Sequence, residues 1–270
     1  MSAFARMARI VLLMAACYAG AYAAMHPNRN GSERAQVENR LSGFARAPDD
    51  VIRNAAHQLV SWSASPNSGA LLPAEPFGFV SAAASYRDFA DKWAELQSRM
   101  SAEQGVLAAC RSDAAKCPKP AIQLLSIVEA GRKQKGRARI GHINRAVNLA
   151  IRPASDWDQY GSADLWASPL QTLASGAGDC EDYAIVKYAA LRESGFAARD
   201  LRFIIVRDNA RQTDHAVVAV RDADGWLVLD NRTMAILNAE NVQNYQPLLS
   251  LQQQDVRRMA AVTLDAPIDR

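Results

Sequence analysis

Cysteine, histidine and aspartate stand in that chain order at Cys180, His215 and Asp230. Nucleophilic thiol catalysis needs this set: a sulfur to attack, an imidazole to carry the proton and a carboxylate to orient the imidazole. Cys180 lies in Gly178-Asp179-Cys180-Glu181-Asp182, immediately before the helix-forming run Tyr183 to Glu193, with Gly195 placed as its C′ residue. The partial positive charge of a helix N-terminus stabilises a thiolate, and the exposed N–H groups there can hold a developing oxyanion. Asp179, Glu181 and Asp182 act in the opposite sense, because each carboxylate disfavours another negative charge nearby. Thiolate chemistry at this position therefore requires something to neutralise them. The same residues also read without chemistry, with Asp179 as a helix cap, Glu181 and Asp182 as acids at the positive helix end, and Cys180 as a small buried side chain.

The surrounding elements bear on that choice. Leu201 to Val206, His215 to Val220 and Trp226 to Leu229 are short β-rich runs, separated by the polar turn Asp208 to Asp214 and by Asp222-Ala223-Asp224-Gly225. His215 opens one strand and Asp230 ends its hairpin partner. If paired residue numbers sum to 445 or 447, the two side chains share a face, opposite or diagonal, about 5 to 8 Å apart at Cβ. A sum of 446 would place them on opposite faces. Upstream, Phe89, Trp93, Leu96 and Met100 recur at helical spacing, and a second helix is expected between Ala121 and Gln134. In a third, Ala138 to Ile151, Ile140, Ile143, Val147 and Ile151 share one face with Asn144 and Asn148 beside it. The stretch Arg152 to Gly178 reads as a long irregular loop carrying Trp157, Tyr160 and Trp166. These aromatics are candidates to line the substrate side of a cleft or, alternatively, to pack the loop onto the core. Helices followed by adjacent strands indicate an α+β fold.

Arg6 and Arg9, the apolar run Ile10 to Ala19 and Ala21-Tyr22-Ala23 make residues 1–23 a signal peptide with an A-x-A cleavage site. Met14-Ala15-Ala16-Cys17 also resembles a lipoprotein-processing box, after a very short apolar stretch. No later segment has the roughly 18 consecutive apolar residues of a membrane-spanning helix, so a soluble periplasmic or secreted protein is expected. Cleavage removes two arginines and no acids, taking the net charge from +3 to +1. That balance gives no basis for nucleic-acid binding, and a hydrophobic fraction of 49% excludes a disordered chain. The mature chain would keep Cys110, Cys117 and Cys180. In an oxidising compartment the C-x6-C loop suits a disulfide and leaves Cys180 as the odd thiol. Residues 24–75 show no sustained period and read as a flexible leader, 76–255 as the domain and 256–270 as a C-terminal tail.

Gly178-Asp179-Cys180-Glu181-Asp182-Tyr183, Asp214-His215-Ala216-Val217 and Val228-Leu229-Asp230-Asn231 resemble the three motifs of the bacterial transglutaminase-like cysteine peptidases. The similarity extends upstream through Val147-Asn148, Asp156, Tyr160-Gly161 and Asp164-Leu165-Trp166. That family includes periplasmic LapG-type proteases, which clip large surface adhesins and release biofilms. The resemblance implies a papain-like (transglutaminase-like) α+β fold, with a helical half, the nucleophile at a helix N-terminus, an antiparallel sheet after it and the active site between them. It implies Cys180 as nucleophile, His215 as general base and acid, and Asp230 as the residue orienting the imidazole. It further implies calcium held by Asp179 and Glu181, with Asp182 as a weaker ligand, a protein substrate such as a surface adhesin, and a regulatory inner-membrane protein as partner. A cysteine endopeptidase, a transglutaminase, amidase or deamidase using the same acyl-thioester chemistry, and a catalytically silent binding protein all remain open at this point.

Overall fold

The computed structural model describes residues 75–83, 86–162, 164–252 and 255–261. The expected signal peptide, Cys17 and the expected leader up to residue 74 lie outside them. Strand β1 (Phe79–Ala83) leads into helices α1 (Arg87–Ser112), α2 (Lys119–Arg132) and α3 (Gly136–Ala150). Next come β2 (Arg152–Pro153), α4 (Asp156–Tyr160), α5 (Pro169–Ser175) and β3 (Ala177–Gly178), and then α6 (Cys180–Glu193). The strands β4 (Leu201–Asp208), β5 (Thr213–Asp222), β6 (Gly225–Leu229), β7 (Leu237–Asn238), β8 (Tyr245–Gln252) and β9 (Asp255–Ala261) follow.

Helix α6 is the centre of the fold. Every residue from Cys180 to Leu191 is buried, as expected of a helix covered on all sides rather than along one stripe. It packs against α2, α3 and α5 and against β4 and β5. Gly195, at φ +103°, ends it, with Phe196 N donating to Leu191 O at 3.1 Å in the expected C-terminal cap. The predicted disulfide is present: Cys110, at the end of α1, is bonded to Cys117, just ahead of α2.

The seven strands of the main sheet are ordered β1-β9-β8-β4-β5-β6-β7, all antiparallel. Side chains alternate. Phe203, Ile205, Ala216, Val218 and Val220 join the core formed with the helices, whereas Ile204, Val206, Val217 and Ala219 build a second cluster with Val242, Met259, Phe77 and Phe79. Burial on both faces makes β4 and β5 near-continuous apolar runs, which is why they were legible as strands.

Three expectations are corrected. The stretch 152–178 is not one loop, because it contains α4, α5 and the short parallel pair β2–β3. The domain does not stop at 255, since β9 pairs with β8 and, from Phe79↔Ala261 to Ala83↔Arg257, with β1. The expected tail thus begins inside a strand, and one strand of the sheet precedes the helical half. Pairing between residues so far apart in the chain leaves no local period to read. Glu75, expected in the leader, accepts from Arg202 Nε at 2.8 Å and is held to the sheet.

Candidate active site

The β5–β6 hairpin adopts one of the two permitted registers. Val218↔Leu229 and Asp222↔Gly225 sum to 447, which sets His215 and Asp230 diagonally on one face. His215 Nε2 lies 2.8 Å from Asp230 Oδ1, and both side chains are buried. The carboxylate can only accept, so Nε2 carries the proton. Nδ1 is left buried and without a hydrogen-bond partner among the described residues. Burial lowers the His215 pKa, and the opposing pull of Asp230 offsets this only in part. Burial alone would raise Asp230, but the charge and hydrogen bond of His215, with donors from Arg232 N and Tyr245, outweigh it and hold the carboxyl below the usual range.

The turn after β6 is pinned from several sides. Arg232 N donates to Asp230 Oδ1 at 2.9 Å, and the Tyr245 hydroxyl to Oδ2 at 2.5 Å. Asn148 on α3 donates to the carbonyls of Asp230 and Thr233, each at 2.9 Å. Asn144, one helical turn earlier, donates to those of Thr233 and Met234 at 3.2 and 3.3 Å. The Arg232 side chain reaches Asp208 Oδ2 at the end of β4, at 2.7 Å.

Cys180 is the first residue of α6, and its Sγ lies 3.2 Å from Glu181 Oε2. None of the described cysteines is free in the full chain, and the odd thiol expected at Cys180 belongs to the chain without residues 1–23. Asp179 precedes the helix, but its side chain makes no capping hydrogen bond, so the simple capping role does not account for it. Gly178 packs tightly on α6: a Cβ there would lie 2.6 Å from Asp182 Cβ.

Asp156, from α4, completes an acidic cluster. One carboxylate oxygen from each of Asp156, Asp179 and Glu181 falls within 4.8 Å of the others. Asp182 is not in this set; its Oδ1 accepts from Ala167 N at 3.0 Å. Oxygens of Asp156, Asp164, Asp179, Glu181 and, on its other side, Asp182 are buried without a hydrogen-bond partner. Burial raises the pKa of Asp179, Glu181 and Asp182 well above the usual carboxylate range and that of Asp156 to about 6. Orphaned, crowded carboxylate oxygens are the donor set that a hard divalent cation such as calcium takes.

Of the three aromatics proposed to line a substrate cleft, Trp166 is displaced from that role. It is 1% exposed and packs on Phe89, Trp93 and Phe203 with ring centroids 6.1, 6.5 and 5.2 Å away, so the packing alternative holds for it. Trp157 is 68% exposed on α4, and Tyr160 is half-buried. Tyr245 and the buried Lys187 were missed as contributors to the site, and Asp156 and Asn148 entered only through the upstream resemblance, with no role attached. Burial lowers the Lys187 pKa to about 7 against the pull of Asp230. Asn144 and Asn148, an i,i+4 pair beside an apolar stripe, are the local signal that α3 holds something polar.

The family model described as bacterial transglutaminase-like cysteine proteinase (BTLCP) matches residues 97–264. No curated protein matches the chain. Solved structures similar to it include LapG of Legionella pneumophila, at 21% identity over 57% of this chain and 86% of that one, with a TM-score of 0.47. The calcium-bound form of that protein aligns at 20% identity over 62% and 92%, with a TM-score of 0.48. Its EGTA-treated form aligns at 22% over 55% and 80%, with a TM-score of 0.45. With the family model covering more than half of its length, the chain belongs to the bacterial transglutaminase-like cysteine proteinases.

Proposed function

We propose that this proteinase is an exported, calcium-dependent cysteine endopeptidase with Cys180, His215 and Asp230 as its triad. The observation that carries the reading is the buried His215–Asp230 pair, which fixes the proton on Nε2 and leaves Nδ1 able to accept one. In the reduced mature chain, Nδ1 takes the thiol proton of Cys180 as the sulfur attacks the scissile carbonyl. The resulting imidazolium protonates the departing amine. A water, deprotonated by the same nitrogen, then hydrolyses the thioester and restores the thiol. Backbone N–H groups at the start of α6 face the developing oxyanion. Asp156, Asp179 and Glu181 would hold calcium, whose charge relieves the thiolate of their repulsion. Trp157 and Tyr160, both on α4, would meet substrate in this reading. By family resemblance the substrate is a periplasmic or surface protein of the adhesin kind, with an inner-membrane protein as regulator. Among the described residues no helix is long and apolar enough to cross a membrane.

The test compares the termini of exported proteins from cells carrying the protein and cells carrying Cys180→Ala. Termini that appear only with Cys180 support proteolysis. Mass changes without new termini would point instead to amide transfer by the same thiol, and identical profiles would remove both.

A further inference from the structure

We propose that Tyr245 is a positioning residue of the triad, its hydroxyl holding the Asp230 carboxylate so that His215 keeps its proton on Nε2 and presents an unprotonated Nδ1 to the nucleophile. This rests on the triad reading above. Asp230 Oδ1 has two donors, His215 Nε2 at 2.8 Å and Arg232 N at 2.9 Å. Oδ2 is served by the Tyr245 hydroxyl at 2.5 Å, a separation typical of a charge-assisted O–H···O⁻ bond. Without that hydroxyl a buried carboxylate oxygen would be left unpaired, and the carboxylate would gain a reason to rotate and exchange its oxygens. The tyrosine ring also lies against the imidazole, with centroids 5.7 Å apart and planes tilted by 59°.

Tyr245 reaches this place because of an irregularity in β8. Pairing with β4 runs Asp208↔Tyr245 and Val206↔Pro247, then skips to Ile205↔Leu249, a bulge at Leu248. Tyr245 therefore shares a face with Asp208, Val206 and His215. Leu249 and Leu251, which have the same parity in sequence, join the core formed with the helices. A tyrosine needed only to fill the second cluster would be replaced by phenylalanine at little cost, so the hydroxyl is what distinguishes the roles. The other charged groups around the pair are Lys187 on α6 and Arg232 in the turn after β6. Asp208 faces it from β4, but its carboxylate is occupied by Arg211, Arg232 and Asn244.

The experiment uses the reduced, calcium-loaded full chain and a peptide or protein substrate established by the terminus comparison. Tyr245→Phe should lower kcat about 10- to 100-fold, with KM changed less than about twofold. In a Cys180→Ala background, ¹⁵N NMR of His215 should change from a single Nε2–H tautomer to a mixture. Site-specific replacement of Tyr245 by 3-fluorotyrosine keeps the shape and a stronger donor, and should keep the single tautomer and kcat. Wild-type kcat and a single tautomer in Tyr245→Phe overturn the inference, as does a variant that only melts earlier. If Tyr245→Phe does not fold, the fluorotyrosine protein decides: a mixed tautomer there overturns the inference and a single one supports it. His215→Ala is the separate control. Full activity in it removes the triad and this inference together, whereas an inactive His215→Ala beside a fully active Tyr245→Phe removes only the role of Tyr245.

Discussion

Replacing Gly178 by alanine tests the packing that positions the nucleophile. The added methyl would lie 2.6 Å from Asp182 Cβ, 2.7 Å from Oδ2 and 3.1 Å from Cγ, where carbon–carbon contacts favour about 3.5–4.0 Å. Asp182 cannot retreat: it is fully buried, and its Oδ1 holds Ala167 N. Either the first turn of α6 moves or that hydrogen bond breaks. Overpacking of this kind costs about 1–3 kcal/mol, and loss of a buried hydrogen bond adds about 1 kcal/mol. For a domain of this size each kcal/mol moves Tm by about 2–4 °C, so the expected fall is about 5–15 °C by calorimetry. Because Cys180 is two residues further on, turnover should also drop at temperatures where the variant remains folded. Gly105→Ala is the control. Nothing lies within 4 Å of a Cβ at that position in α1, so it should be neutral or stabilising by up to about 1 kcal/mol. A Gly178→Ala protein with wild-type Tm and wild-type turnover would refute the close-approach argument.

Calcium at 100 times its Kd should stabilise the protein by about 2.7 kcal/mol, seen as a higher Tm that magnesium does not reproduce and Asp156→Asn abolishes; a Tm indifferent to calcium and EGTA contradicts the site. Lys187 gives a pH test. Its folded pKa of about 7 lies below the ordinary lysine value of 10.5, so between those values the unfolded chain binds the extra proton and stability rises with pH through that window. The limiting slope is about 1.4 kcal/mol per pH unit, and Lys187→Met should flatten it; an unchanged slope in Lys187→Met shows that the ammonium is solvated. Trp166→Ala should cost about 3–5 kcal/mol in denaturant unfolding, whereas a substrate-lining Trp166 would raise KM and leave stability alone.

What could be read from the chain was what local spacing encodes. The helix after Cys180 ends where Gly195 requires, and turn composition confined the β5–β6 register to options that included the observed one. Trp166 could not be assigned because an aromatic in a loop reads the same whether it meets substrate or core; only the arrival of Phe89, Trp93 and Phe203 from α1 and β4 decides. Strand β9 was missed because its partners include β1, at the far end of the domain. Tyr245 was missed for a sharper reason. Alternation along β8 puts it with Leu249 and Leu251, and the bulge at Leu248 reverses that parity without any glycine to announce it. Among the carboxylates, Asp179, Glu181 and Asp182 drew attention by adjacency. Helical geometry turns one oxygen of Asp182 toward Ala167 N, while the closest carboxylate set includes Asp156, which is distant in sequence.

The route by which Asp156 arrives explains why this acidic cluster exists. Arg152 N donates to Gly176 O at 2.9 Å and Ala154 N to Gly178 O at 3.0 Å, so β2 and β3 lie side by side. Ser155 then caps α4, accepting from Asp158 N at 3.1 Å, and Asp156 follows at the first position of that helix. A parallel pair, a cap and a short helix are thus assembled to bring one more carboxylate to two that burial already penalises. Crowding buried acids costs free energy unless their charge is met. As neutral acids they would add nothing to the fold that an amide could not. The feature they share is a position around Glu181, whose Oε2 touches the sulfur of Cys180 while its Oε1 remains buried and unpartnered. A cation taken by Asp156, Asp179 and Glu181 would therefore act on a carboxylate already in contact with the nucleophile. Asp156→Asn should accordingly slow alkylation of reduced Cys180 as well as weaken calcium binding, and an unaltered alkylation rate in that variant would separate the acidic cluster from the thiol.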